Sequence, residues 1–195
     1  MDIFYSIDLA IFYLFNHTIS TGFFDKFFSL VTSVNNWYIT YILLLGLLFF
    51  KGGRVGKISV LGILILITIT DQVSHKILKE LFDRARPCNA LSDVLTPLGC
   101  TGSFSFPSNH AVNNFAAAAF FSILFPNYRT VLFTVASIVA LSRVYLGLHY
   151  PSDVIAGAAL GFVFGHFFGL ALLKIEDIIN RRKILKNSKA STVDT

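Results

Sequence analysis

Three short segments of the chain combine cations, histidines and hydroxyl groups at spacings suited to binding an anion. In the first segment, Lys79 and Arg86 stand seven positions apart, about two helical turns, so both can face one site. In the second, the run Pro107–His110 precedes a long apolar stretch, and the N–H groups at the start of a helix attract anions. We therefore expect Ser108 and the first amides of this helix to face the same anion.

The third segment adds the reactive groups. Arg143 is followed by His149 and, four positions later, by Asp153. A carboxylate beside a histidine holds one tautomer and stabilises the cationic ring, as nucleophilic catalysis requires. Phosphoryl transfer depends mainly on positioning and charge stabilisation, so these groups together predict a phosphoryl-transfer site. Of the two histidines, His110 and His149, one would attack phosphorus and the other would protonate the leaving oxygen.

We expect neither a metal ion nor another cofactor at this site. A metal centre would need more carboxylates or clustered histidines than the three segments supply. Asp71, His75 and Lys79 recur every four residues and so share one helix face. Two roles are open to Asp71: it can balance the charge of the site or orient its residues without contacting the phosphate, or it can make a structural hydrogen bond.

Composition indicates that these groups belong to a membrane protein. The chain has 195 residues, of which 54% are apolar or aromatic and 14% are charged. Soluble domains average about 25% charged residues. The balance argues against a soluble domain, a disordered chain and a nucleic-acid-binding module. The N-terminus lacks a basic region followed by a small-residue cleavage site, so no cleavable signal peptide is expected.

Five apolar runs predict an all-α bundle with about five membrane-spanning helices, each needing about 20 residues. The predicted spans are 36–50, 57–79, 109–125, 129–148 and 152–173. The second should continue as a helix to Asp83. Polar residues interrupt the segment 1–34, which predicts one or two amphipathic helices in the membrane interface, broken near Thr21-Gly22.

The distribution of basic residues indicates the orientation of this single domain, residues 1–195. Ten of the sixteen Lys and Arg residues fall on one side: Lys51, Arg54, Lys57, Arg129, Lys174, Arg181, Arg182, Lys183, Lys186 and Lys189. That side is cytoplasmic by the positive-inside rule. Residues 174–195 are then a basic cytoplasmic tail, a helix that frays into a disordered end. The three reactive segments lie on the opposite, outer face.

Two further patterns predict structural roles. Gly157, Gly161, Gly165 and Gly169 form one helical stripe, and because each Gly costs a helix interior about 1 kcal/mol, we expect close packing against a neighbouring helix. Cys88 and Cys100 stand twelve positions apart in the outer loop. An oxidising compartment permits a disulfide there, worth about 3 kcal/mol for so short a loop; without such a compartment both remain free thiols.

The arrangement K-x6-RP, P-S-x-H and S-R-x5-H-x3-D resembles the motifs of the type 2 phosphatidic acid phosphatase (PAP2) family. It also resembles the related vanadium haloperoxidases and soluble acid phosphatases. The motifs occur in order at Lys79–Pro87, Pro107–His110 and Ser142–Asp153. The resemblance implies a metal-independent membrane phosphatase that acts on lipid phosphates at the outer face of a bacterial inner membrane.

Carried onto this sequence, the resemblance makes His149 the nucleophile, Asp153 its orienting carboxylate, and His110 the general acid that later activates water. It assigns phosphate binding to Lys79, Arg86, Ser108, Arg143 and the backbone amide of Asn109. The family usually has Gly where this chain has Asn109, whose side chain can narrow or rewire the pocket. The N-terminal span common in bacterial members is also absent, which leaves residues 1–34 as outer-leaflet helices.

The sequence leaves several lipid substrates open: undecaprenyl diphosphate, phosphatidylglycerol phosphate, phosphatidic acid and the 1-phosphate of lipid A. It does not predict the oligomeric state, and no nucleic-acid partner is expected. The alternative is a non-catalytic lipid-binding or lipid-translocating protein on the same frame. Binding alone, however, needs no nucleophile with an orienting carboxylate. A haloperoxidase-like enzyme is disfavoured by the membrane spans.

Overall fold

The computed structural model describes residues 3–191, and the regular secondary structure in that range is helical throughout. The α-helices in chain order are α1 (Ile3–Tyr13), α2 (Gly22–Thr32), α3 (Tyr38–Lys51), α4 (Gly53–Gln72), α5 (Lys79–Phe82), α6 (Pro87–Ala90), α7 (Asn109–Leu124), α8 (Arg129–Tyr145) and α9 (Pro151–Ser191). The all-α prediction is confirmed for this part of the chain.

Helix α7 lies at the centre of the bundle and packs against α4, α8 and α9. The glycine stripe of α9 permits the closest of these contacts. A Cβ atom at Gly161 would lie 2.1 Å from the carbonyl oxygen of Val112, and one at Gly165 would lie 2.1 Å from that of Ala116. The predicted close packing is therefore confirmed. It holds the first turns of α7 and α9 side by side, where the backbone N–H of Ser108 donates to the carbonyl of Asp153.

Three segments within residues 3–191 are long and apolar enough to cross a membrane: Val34–Lys51, Gly53–Ala90 and Pro151–Arg182. They contain the first, second and fifth predicted spans. Helices α7 and α8 occupy the positions of the third and fourth, but have only 16 and 17 residues, fewer than the about 20 that a span requires. The inner face of α7 is made of small, fully buried side chains such as Ala111, Ala116 and Ala119, because other helices cover it.

Helical backbone continues from α4 through a π-helical turn, Val73–Leu78, into α5. It ends at Asp83, whose left-handed conformation (φ 44°) terminates the helix. The predicted continuation of this helix to Asp83 is confirmed. The reversal at this residue directs the following loop, which contains Arg86, back across the end of the bundle.

The N-terminal segment forms two helices, α1 and α2, as predicted. A π-helical turn, Leu14–Thr18, extends α1, and Thr21 caps α2 by accepting a hydrogen bond from Phe24 N–H. Helix α1 packs on α9, and α2 packs on α8. Their placement in the membrane interface stays a prediction.

Helix α9 continues well beyond the predicted span, as far as Ser191. The expected helical part of the basic tail is therefore present. Its expected disordered end falls largely on residues 192–195, which lie outside the described residues.

Candidate active site

The three predicted segments converge at one end of the bundle. Arg86 lies just after α5, and its guanidinium donates to the carbonyl oxygens of Ser103 at 2.7 Å and Leu148 at 2.9 Å. The same group lies 3.0 Å from Nε2 of His149. The first and third motifs therefore meet directly through a cation and a histidine.

Three cations are buried at this end without a carboxylate at ion-pair distance in the described residues: Lys79, Arg86 and Arg143 are only 3%, 6% and 8% exposed. Lys79 donates to the carbonyl of Phe104, and Arg143 donates to the hydroxyl of Thr32 at 2.8 Å. Burying a charge without an opposite charge is costly. The charge of the cluster therefore favours binding of an anion.

Within the described residues, three buried polar atoms of the predicted phosphate-binding residues lack a hydrogen-bond partner. Two can donate, the hydroxyl of Ser108 and Nε of Arg143, and the third is the acceptor Oδ1 of Asn109. Buried polar atoms are nearly always hydrogen-bonded in native proteins, so an unpaired one needs a functional explanation. A tetrahedral oxyanion supplies acceptors for both donors.

His149 is held in one tautomer. A guanidinium can only donate, so the 3.0 Å contact with Arg86 requires a lone pair on Nε2 of His149 and places the proton on Nδ1. The ring is 2% exposed. Burial lowers the pKa of His149 to about 3, and the nearby arginines act in the same direction. The imidazole is therefore neutral and nucleophilic at Nε2 at physiological pH.

Asp153 reaches His149 largely through a serine that the sequence did not single out. Ser105 donates from its hydroxyl to Oδ2 of Asp153 at 2.6 Å, and the same oxygen of Ser105 lies 3.3 Å from Nδ1 of His149. The direct distance from Nδ1 to Oδ2 of Asp153 is 3.7 Å. Asp153 also accepts the backbone N–H of Tyr150 at 2.8 Å, which aligns the carboxylate with the start of α9.

The sequence missed one further cation at this site. Arg84 donates to Oδ1 of Asp153 at 2.6 Å and to Asp8 of α1 at 2.7 Å. Its position among the basic residues of the predicted outer face was the only signal in the sequence. Nothing in the local pattern indicated that Asp8, 76 positions earlier, is its second partner.

The side chain of Asn109 does not join the cation cluster. Its Nδ2 donates to Asp71 of α4 at 3.2 Å, and Asn113 makes a weaker contact of 3.4 Å with the same carboxylate oxygen. This arrangement corresponds to the hydrogen-bonding alternative for Asp71. It leaves the backbone amide of Asn109 as the group available for phosphate.

His110, the predicted general acid, is held by the N-terminal segment. Its side chain is hydrogen-bonded to the backbone of Thr32, the last residue of α2, whose hydroxyl also accepts from Arg143. The sequence gave no role to Thr32, which lies 111 positions from Arg143. Helix α2 therefore positions two of the predicted site residues.

A disulfide between Cys88 and Cys100, with Cα atoms 6.0 Å apart, closes a loop between Arg86, which precedes it, and Ser105, which follows it. Within the residues that the structure describes, no group of three or more His, Cys, Asp or Glu side chains could hold a metal ion. Independence from metal stays a prediction.

Comparison with known proteins places the motifs in a family. Residues 60–175 match the PAP2 superfamily. The chain is 34% identical over 150 residues to a lipid A 4'-phosphatase of Porphyromonas gingivalis. The aligned region covers 73% of this chain and 64% of that protein. It is 35% identical over 163 residues to a lipid A 4'-phosphatase of Bacteroides thetaiotaomicron, covering 80% of this chain and 72% of that protein.

A solved structure has the same fold. The transmembrane PAP2-type phosphatidylglycerolphosphate phosphatase of Bacillus subtilis superposes with a TM-score of 0.71 at 25% identity, over 90% of this chain and 89% of that one. Together with the three candidate spans, this match identifies a membrane protein. Since the matched region contains all three motifs and the fold gathers them around His149, the chain belongs to the PAP2 superfamily.

Proposed function

We propose that this protein is a metal-independent phosphatase of a membrane lipid and that His149 is its nucleophile. The observation that supports the proposal most directly is the cluster of three buried cations without a carboxylate partner, one of which contacts Nε2 of His149. Such a cluster attracts phosphate, and an unprotonated Nε2 at its edge can attack it. The names of the relatives agree with a lipid phosphate as the substrate.

In the first step, the Nε2 lone pair of His149 attacks phosphorus. A P–N bond forms, the bond from phosphorus to the leaving oxygen breaks, and His110 gives its proton to that oxygen. The His149 ring becomes cationic in the phosphoenzyme. The Ser105 hydroxyl oxygen accepts a hydrogen bond from the Nδ1–H of His149 and donates its own proton to the Asp153 carboxylate. The carboxylate thereby stabilises the positive charge on the ring.

In the second step, His110 takes a proton from a water molecule, and the water oxygen attacks phosphorus. The P–N bond breaks, inorganic phosphate is formed, and the neutral ring of His149 returns. Lys79, Arg86, Arg143 and Ser108 stabilise the negative charge on the phosphoryl oxygens in both steps.

Arg86 also interacts with the nucleophile before substrate binds. Its guanidinium donates to Nε2, the atom that attacks. A phosphate oxygen is a stronger acceptor for a guanidinium than a neutral imidazole, because both partners are then charged. We expect Arg86 to transfer this hydrogen bond to the arriving phosphate, so that substrate binding itself frees the nucleophile.

The site is proposed to face the outside of a bacterial plasma membrane. Arg54, at the start of α4, contacts Asn180 and lies 3.9 Å from Glu176, so the basic first loop and the basic end of α9 share one end of the bundle. The cation cluster lies at the opposite end. By the positive-inside rule the basic end is cytoplasmic.

The candidate substrates are lipid phosphates and diphosphates. The names of the two relatives add the 4'-phosphate of lipid A to the four lipids that the sequence left open, and this lipid is the first to test. The charged phosphate head group would enter the cation cluster, while the lipid tail would remain among the helices.

The deciding experiment measures phosphate release by the purified protein in detergent with EDTA present. The five lipids are offered in parallel, with His149→Ala beside the wild type. We expect release from at least one lipid, no effect of EDTA, and loss of release in the variant.

The contrary results have distinct meanings. Release that stops with EDTA would contradict metal independence, and undiminished release by His149→Ala would contradict the assigned nucleophile. If the folded wild type released no phosphate from any lipid or from an aryl phosphate, the lipid-binding alternative would replace the enzymatic one.

A further inference from the structure

Arg84 joins two carboxylates from distant parts of the chain. Its Nη1 donates to Oδ1 of Asp153 at 2.6 Å, and its Nη2 donates to Oδ2 of Asp8 at 2.7 Å. The guanidinium carbon also lies 4.1 Å from the centre of the Tyr150 ring. The Arg84 side chain is 27% exposed, whereas Asp8 and Asp153 are 7% and 0% exposed. One arginine therefore compensates two buried acids.

Asp8 is bound to α9 as well as to Arg84. Its Oδ1 accepts the backbone N–H of Ser152 at 2.8 Å, and its Oδ2 accepts the Ser152 hydroxyl. The first N–H groups of a helix have no partner within that helix, and the positive end of its dipole attracts anions. Asp8 therefore caps, from α1, the same turn of α9 that contains Asp153.

We propose that Asp8 and Arg84 are positioning residues for the nucleophile, acting through Asp153; this rests on the function proposed above for His149. The two oxygens of the Asp153 carboxylate have separate partners. Oδ2 accepts from Ser105 and from the backbone of Tyr150, while Oδ1 accepts from Arg84. Arg84 thereby determines the rotation of the carboxylate.

The rotation matters because the contact with the nucleophile is indirect. Oδ2 of Asp153 must stay on Ser105 for the serine oxygen to remain 3.3 Å from Nδ1 of His149. If Arg84 loses Asp8, its guanidinium keeps only Asp153, the Ser152 hydroxyl and the Tyr150 ring as partners, so it fixes Oδ1 of Asp153 less firmly. The carboxylate can then rotate away from Ser105, and the charge that develops on His149 is stabilised less well.

Asp8 lies outside the part of the chain that matches the family, which begins at residue 60. The motif residues of the site all lie within the matched region. According to the proposal, α1 contributes a positioning residue to the active site in addition to packing against α9.

The test compares purified Asp8→Asn and Arg84→Gln with Asp25→Asn in the hydrolysis of p-nitrophenyl phosphate. Asp25 is a matched control, because it accepts a hydrogen bond from Tyr145 at 2.7 Å and so ties α2 to α8 much as Asp8 ties α1 to α9. We expect the first two variants to lower kcat by about tenfold to a hundredfold, as loss of a charged hydrogen bond implies. KM should change little, since neither residue contacts the phosphate cluster.

Three further measurements separate positioning from a general loss of structure. Asp8→Glu should recover most of kcat, and the double variant Asp8→Asn/Arg84→Gln should be no slower than Arg84→Gln alone, because both changes break one chain of contacts. Rapid-quench measurement should show slower formation of phosphohistidine in Asp8→Asn. Arg84→Lys provides a variant that keeps the charge but cannot bridge two carboxylates, and should also lower kcat.

The proposal is overturned if folded Arg84→Lys and Asp8→Asn keep wild-type kcat, or if Asp25→Asn lowers kcat as much as Asp8→Asn does. It is also overturned if the two single effects multiply in the double variant. Should Asp8→Asn fail to fold, Arg84→Lys decides the question. His149→Ala is measured in parallel: if it stays fully active, the proposed nucleophile is wrong, whereas an inactive His149→Ala beside an unaffected Asp8→Asn rejects only the positioning role.

Discussion

At the scale of single residues, the two nitrogen atoms of His149 face groups of opposite charge. Arg86 donates to Nε2, while Ser105 and the carboxylate of Asp153 lie on the Nδ1 side. In the mechanism proposed above, this arrangement would keep the ring neutral while the site is empty and favour the cationic ring once Nε2 is bonded to phosphorus. Ser105 is central to this switch, because it lies between the histidine and the acid.

Replacing Ser105 with alanine should therefore slow formation of the phosphohistidine. The hydroxyl links Nδ1 of His149 to Oδ2 of Asp153. These two atoms are 3.7 Å apart, which is too far for a direct hydrogen bond. We expect kcat to fall by about tenfold, the value of one such hydrogen bond, with KM nearly unchanged. Ser122→Ala is the control, because Ser122 bonds only to the carbonyl of Ala119 within α7. Equal activity of the two variants would remove Ser105 from the mechanism.

Protonation of His149 should make the folded protein sensitive to acid. Burial lowers the pKa of His149 to about 3 from its ordinary value of 6.5. Between these values the unfolded chain binds a proton that the folded protein does not, so the contribution to the free energy of unfolding is present above pH 6.5 and is lost as pH falls towards 3.

The corresponding measurement is thermal unfolding in detergent from pH 7.5 to pH 4.5. The wild type should lose more of its Tm over this range than His149→Asn, which has no titrating ring. Parallel curves for the two proteins would show that the histidine is not held neutral by burial.

At the scale of elements, the packing of α9 on α7 determines whether the site forms. The glycine stripe brings the two backbones together and sets Asp153 beside Ser108. The sequence predicted this contact because four glycines at helical spacing have few other uses. It could not predict the extent of α9 or the π-helical turns, since these depend on tertiary contacts that no local pattern records.

A single methyl group at the right glycine should separate α7 from α9. In Gly161→Ala the new Cβ would lie 2.1 Å from the carbonyl oxygen of Val112. Because backbone atoms cannot move aside as a flexible side chain can, we expect a loss of about 1–3 kcal/mol in the free energy of unfolding, and lower activity as Asp153 shifts. Gly46→Ala is the control, since no atom lies within 4 Å of its new Cβ. There alanine should be neutral or stabilising by up to about 1 kcal/mol. Similar stabilities for the two variants would contradict the packing argument.

At the scale of the whole molecule, the motif residues were predictable and their supports were not. The sequence indicates Lys79, Arg86 and Arg143 as site residues, because they are cations on the face predicted to lie outside the membrane. Asp8 and Thr32 give no such signal, because each is far in sequence from the arginine that it contacts. The five helices were also found at their predicted places. Helix α7 ends at Leu124 where the prediction had 125, and α8 ends at Tyr145 where it had 148, so both are shorter than a full span.

The orientation of the bundle yields the last prediction. Two cysteines, Lys51→Cys and Ser92→Cys, are introduced separately into the background Cys88→Ser/Cys100→Ser and treated in intact spheroplasts with a membrane-impermeant maleimide. Both positions are exposed, Lys51 at the end of α3 and Ser92 in the loop of the cation cluster. Ser92→Cys should be labelled at once, and Lys51→Cys only after the membrane is permeabilised, if the basic end is cytoplasmic as the positive-inside rule predicts. The reverse pattern would place the cation cluster in the cytoplasm, where the pair Cys88 and Cys100 would remain reduced and only lipids of the inner leaflet would reach His149.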